Sequence, residues 1–81
     1  MPIERFIWTI HTEDKRIKRL LVRSELERAI RDGHADRQIN QGRADWLVDG
    51  LLADGRRFEA VYDNPHGRDR AAIRIVSVWD L

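Results

Sequence analysis

Apolar residues in this chain fall into four alternating runs, with a helix-patterned stretch between the first and second. Phe6-Ile7-Trp8-Thr9-Ile10-His11 is β-branched and aromatic and is bounded by charge. It predicts a first strand, with Phe6, Trp8 and Ile10 on one face and Ile7, Thr9 and His11 on the other. Thr12 then reads as a helix N-cap, and Glu13 and Asp14 occupy the first turn, where the helix dipole favours acids. Ile17, Leu20 and Leu21 keep helical spacing. Ser24-Glu25-Leu26-Glu27 has the form of a capping box opening a second helix, with Leu26, Ala29 and Ile30 as its apolar stripe and Gly33 as its stop. A single helix from Glu13 to Asp32 also fits, because neither Pro nor Gly interrupts it; the internal cap favours two. His34 to Arg43 is polar and reads as a loop, with Ile39 its one large apolar residue.

Three strands are expected beyond it: Ala44 to Leu52, Arg57 to Asp63 and Ala71 to Trp79. Asp54-Gly55 joins the first two as a tight hairpin, and Asn64-Pro65-His66-Gly67 interrupts the chain before the last. Alternation places Trp46, Val48, Gly50, Phe58, Ala60, Tyr62, Ile73 and Ile75 on the side the helices cover. The other side receives Leu47, Asp49, Leu51, Arg57, Glu59, Val61, Arg74, Val76 and Val78, with Thr9 and His11. The expected fold is α+β in the order β-α-α-β-β-β: a four-stranded, mainly antiparallel sheet with two helices packed on one face, as a single domain over residues 1–81. Leu47, Leu51, Val76 and Val78 make the helix-free side too apolar for simple exposure. A partner protein, or a homodimer through that face, is expected to cover part of it.

Composition narrows the function classes. The chain has 81 residues and no cysteine, whereas a small secreted domain usually carries disulfides, so a cytoplasmic setting is expected. No apolar run approaches the roughly 20 residues of a membrane span, and no leader pattern opens the sequence, so no membrane role is expected. A formal net charge of +1 weighs against strong nonspecific nucleic-acid binding by the whole molecule. The cations are nonetheless concentrated: Lys15, Arg16, Lys18, Arg19, Arg23, Arg28 and Arg31 lie in one stretch. His11, His34 and His66 lack metal-ligand spacing, and there is neither a phosphate loop nor a nucleophile elbow. No metal and no cofactor is expected.

Metal-independent RNA cleavage needs a base for the 2′-hydroxyl, an acid for the leaving oxygen, and cations on the phosphate. His11 offers acid or base, Glu59 a base or a carboxylate that orients an arginine, and Arg74 and Arg57 a bidentate phosphate clamp. Arg16 and Arg19, three apart on one helix side, are further phosphate candidates. The competing reading makes these residues cross-strand ion pairs and solvated charges, and makes Trp8, Trp46 and Trp79 core side chains rather than base-stacking platforms.

Several of these segments together resemble a known family. They are His11 before the first helix, Arg16 and Arg19 along it, and Leu26-Glu27-Arg28-Ala29-Ile30-Arg31-Asp32-Gly33 as second helix and stop. Asp54-Gly55-Arg56 in the hairpin and Ile73-Arg74-Ile75-Val76-Ser77-Val78-Trp79 as closing strand complete the set. With the element order, they resemble the RelE/ParE superfamily of bacterial toxins, nearest to BrnT-like toxins and their small relatives. The resemblance implies a toxin–antitoxin component acting on RNA or on gyrase, neutralised by an antitoxin that packs against it. The near-neutral charge, the lack of Tyr or His near the C-terminus and the core position expected for Tyr62 favour a competing class, a non-catalytic protein-interaction module of the same fold.

Overall fold

The computed structural model describes residues 3–64 and 71–81. Pro65, His66 and Gly67 of the expected break lie outside them. Strand β1 (Arg5–Trp8) leads into helices α1 (Ile10–Lys18) and α2 (Arg23–Gly33), then a single 3₁₀ turn (His34–Asp36). Strands β2 (Gln38–Ile39), β3 (Trp46–Leu51), β4 (Arg57–Asp63) and β5 (Ala72–Asp80) follow. The fold is α+β, with a five-stranded mixed sheet in the order β1-β5-β4-β3-β2. β1 runs parallel to β5, and the other neighbours are antiparallel.

The sheet therefore has one strand more than the four expected. Gln38 and Ile39 pair with Leu47 and Trp46 inside the stretch read as loop. Both are exposed, so the pair is held by backbone bonds rather than burial and leaves no apolar period in the sequence. Asn40 closes the connection, its backbone N–H donating to the Asp45 carbonyl (3.0 Å) and its side-chain amide to Ala44 (3.0 Å).

The first strand also ends earlier than expected. Thr9 is the N-cap of α1: its hydroxyl accepts from the Thr12 N–H (3.2 Å), while the Thr12 hydroxyl accepts from the Thr9 N–H (2.9 Å). This reciprocal pair starts the helix at Ile10 and moves His11 off the sheet into the first helical turn. α2 opens at Arg23 after Val22, without a side-chain cap, so Ser24 lies inside it. Gly33 is its last residue. A Cβ there would sit 3.2 Å from the Val48 Cγ2, so glycine lets the helix end approach β3 closely. The Asp54-Gly55 hairpin forms as expected, with Gly55 at φ 89°.

Leu26 and Ile30 of α2 pack on Val48, Phe58, Ala60, Tyr62, Ile73, Ile75 and Val78, and Ile3, Leu21 and Leu52 close the margins. No side chain of α1 belongs to this core. The expectation of two helices covering one face is thus corrected: α2 covers it, while α1 lies along β5 and screens the strand beyond the point where β1 stops. A second correction concerns β5. The register shifts by one between Val61 and Tyr62, because Val61 pairs with Ser77 whereas Tyr62 pairs with Ile75. Val76 is the extra residue of a β-bulge, which reverses alternation beyond it. Val78, expected on the helix-free side, is fully buried in the core, and Trp79 takes its place outside.

Candidate functional site

Helix α1 is oriented opposite to the usual amphipathic rule. Lys15 and Arg16 face the protein, whereas Lys18 is exposed. The Lys15 Nζ donates to the Ser77 hydroxyl (2.7 Å) and lies 6.0 Å from the Trp79 ring centre. Arg16 holds the Glu13 carboxylate with two N–H bonds (2.9 and 3.0 Å) and the Leu21 carbonyl with a third (2.9 Å). Arg19 bonds Asp80 (3.1 Å). The Arg16 hydrogen bonds hold the Glu13 carboxyl below the usual range and raise the guanidinium in turn. Arg19 likewise lowers Asp80. These partners are polar because the stretch of β5 alongside α1 offers Ser77, Trp79 and Asp80.

The apolar side chains of α1 therefore point to solvent. Ile10 is 92% exposed, Ile17 59%, Leu20 78% and Val22 48%. Ile10 and Ile17, seven apart, lie on one side of the helix with Asp14 between them, and Leu20 and Val22 lie in the turn to α2. Asp14 and Lys18, paired at 3.0 Å, lie on the same helix.

The helix-free face of the sheet forms a second surface. Asp49, Glu59 and Trp79 lie side by side across β3, β4 and β5, and the Trp79 indole N–H donates to Glu59 (3.0 Å). Arg57 reaches Asp49 only at 4.0 Å. Toward the other end of the strands, Arg74 bonds Asp63 (2.9 Å) in a groove of about 310 Å³ shared with Thr9, Arg43 and Val76 at the bulge. The second Asp63 oxygen is buried without a hydrogen-bond partner.

The sequence-predicted site residues separate on these surfaces. Arg57, Glu59 and Arg74 do share the helix-free face. Arg74 is level with Asp63, four residues along β4 from Glu59, or about 13 Å at strand spacing. His11 is exposed in the first turn of α1 and makes no hydrogen bond among the described residues. Arg16 faces inward, committed to Glu13 and Leu21, and Arg19 is exposed and bonded to Asp80. Trp79 and Lys15 are the members of the open face that alternation does not reveal; only the bulge at Val76 puts that indole beside Glu59.

Among the described residues no group of three or more His, Cys, Asp or Glu could hold a metal ion. Among the described residues no helix is long and apolar enough to cross a membrane. This architecture defines a small α+β protein with a mixed sheet and an apolar helix face turned outward. No family model, no curated protein and no solved structure matches the chain.

Proposed function

We propose that this chain is a protein-interaction module of RelE/BrnT-like form, a cytoplasmic component of a toxin–antitoxin type pair, whose partner packs along the outward side of α1. The observation that carries the reading is the inverted helix. Ile10, Ile17, Leu20 and Val22 are exposed, while Lys15 and Arg16 are turned inward and Arg19 is held by Asp80. Exposed apolar side chains of this kind are where an apolar helix or segment of another protein gains most by burial. The RelE/BrnT-like form is taken from the sequence resemblance alone.

A second reading, a metal-independent ribonuclease, is favoured by one observation: the open sheet face sets Glu59 beside Trp79, with Lys15 and Arg57 around them. There Glu59 would serve as base and Arg57 would hold a phosphate.

Expression of the chain in bacteria, with growth and bulk RNA followed, separates the two. The module reading expects normal growth and intact RNA. It also expects co-purification with the product of the adjacent reading frame, lost in Ile10→Glu/Ile17→Glu while the circular dichroism spectrum is kept. Growth arrest with RNA degradation that Glu59→Ala abolishes would transfer the conclusion to the ribonuclease.

A further inference from the structure

We propose that the outer edge of β3 at Asp49–Leu51 binds an extended basic peptide as an added strand. This edge is separate from α1, and the Asp49 and Leu51 side chains beside it belong to the helix-free face.

The argument begins with the ladder. In an antiparallel pair, alternate residues turn both backbone groups toward the neighbour and the others turn them away. The Leu52 N–H donates to the Arg56 carbonyl (2.8 Å), so Leu52 faces β4. Leu51 and Asp49 therefore face outward. The Asp45 carbonyl, in the same phase, confirms this by accepting from Asn40 on the β2 side. β2 ends its pairing at Leu47, and the chain on its N-terminal side turns away into the His34–Asp36 turn. Among the described residues nothing bonds the outward N–H and C=O groups of Asp49 and Leu51. Backbone groups of this kind are the template for strand addition.

The space beside them suits a chain. A groove of about 300 Å³ runs between α2 and β3, lined by Ala29, Asp32, Gly33, Asp49, Gly50 and Leu51. It continues into one of about 220 Å³ past Arg28 toward the hairpin. The Leu51 side chain, 64% exposed, offers an apolar seat for alternate side chains of the incoming strand.

Charge selects the occupant. Asp32 makes no ion pair among the described residues, and the nearest cation to Asp49 is Arg57 at 4.0 Å. Glu25 adds a third carboxylate, one oxygen of which accepts from the Ala53 N–H. Arg28 is the opposing cation in the groove. A peptide alternating Lys or Arg with an aliphatic residue would turn its cations toward Asp32 on the α2 side and its aliphatic side chains toward Leu51 on the opposite face. A second copy of this chain would not fit, since two β3 edges together would crowd Asp32 and Asp49 of each copy into one patch.

The test uses the whole chain and fluorescein-labelled hexapeptides at low salt, read by anisotropy and by backbone amide shifts. A Lys/Val alternating peptide should bind at least tenfold more tightly than its Glu/Val counterpart, with the largest shifts at Asp49 and Leu51. N-methylation of alternate amides in the peptide should abolish binding. Leu51→Pro removes an outward donor without touching the β4 ladder and should weaken binding at least tenfold. If that variant fails to fold, Asp32→Lys/Asp49→Lys should abolish the preference for the basic peptide. Equal binding of the acidic peptide, undiminished binding of the N-methylated one, no binding of the basic one, or shifts centred on α1 would overturn the proposal.

Discussion

The Tyr62 hydroxyl lies 2.6 Å from the His34 Nδ1, joining the buried C-terminal end of β4 to the turn that follows α2. Burial pushes the phenol up to about 12, so it stays protonated and donates, and the imidazole accepts as the neutral ring. Burial first, then the Arg37 charge, lowers His34 below its ordinary value. The sign follows directly. A base whose folded value is depressed favours the neutral form, so its contribution is complete above the unfolded value and is lost as pH falls through the folded one. The urea midpoint should be level from pH 8 to about 7 and decline below roughly pH 6.5. His34→Gln should remove that decline and leave only the loss at lower pH, where the carboxylates of Glu13, Asp54 and Asp80, all depressed by arginine partners, become protonated.

Leu20 is the one described non-glycine residue with positive φ, at 56°. It reverses the chain between α1 and α2 so that Leu21 is buried, and Arg56 holds the turn by donating to the Arg19 (3.1 Å) and Leu20 (2.8 Å) carbonyls. Because the Leu20 side chain is mostly exposed, little burial is lost on its removal. Leu20→Gly should relieve about 1 kcal/mol of backbone strain and raise Tm by roughly 4–8 °C for a domain of this size. Differential scanning calorimetry would show it, and a lowered Tm would mean that the unfolded-state entropy glycine adds outweighs the strain it relieves.

The bulge at Val76 gives a sharp contrast between two valines that simple alternation treats alike. Val78 is fully buried against the core, whereas Val76 is half-exposed beside Thr9 and Arg43. Val78→Ala should cost about 2 kcal/mol, and Val76→Ala about 0.5 kcal/mol or less. Equilibrium denaturation of the two variants reads the difference; equal costs would place the register shift elsewhere.

That contrast also marks the limit of what the residues alone could tell. The core of β3 and β4, the buried position of Tyr62 and the Asp54-Gly55 hairpin were legible, because alternation and turn chemistry are local. Arg57, Glu59 and Arg74 were assigned to the helix-free face for the same reason. The bulge was not legible, since an extra residue in one strand is decided by its partner, and with it went the positions of Val78 and Trp79. Thr9 and Thr12 both suit an N-cap, and only the tertiary fold chooses Thr9, which displaces His11. β2 has no apolar signature. Parallel pairing of β1 with β5 joins the two ends of the chain and has no local trace. Arg16 looked outward because a helix with so few apolar residues does not announce which side it buries.

Inversion of α1 makes a prediction that an ordinary amphipathic helix would fail. There, aliphatic side chains hold the helix and its lysines are dispensable. Here the large aliphatics touch solvent, so Ile17→Gln should change stability by no more than about 0.5 kcal/mol. Lys15→Ala loses the hydrogen bond to Ser77 and the contact with the Trp79 face and should cost about 1 kcal/mol. Thr12→Ala breaks the reciprocal cap with Thr9 from a buried position and should cost at least as much. Thermal unfolding of the three variants, followed by far-ultraviolet circular dichroism, ranks them. If Ile17→Gln proved the most damaging of the three, α1 would bury its aliphatic side in solution, and the outward apolar side on which the interaction reading rests would not exist.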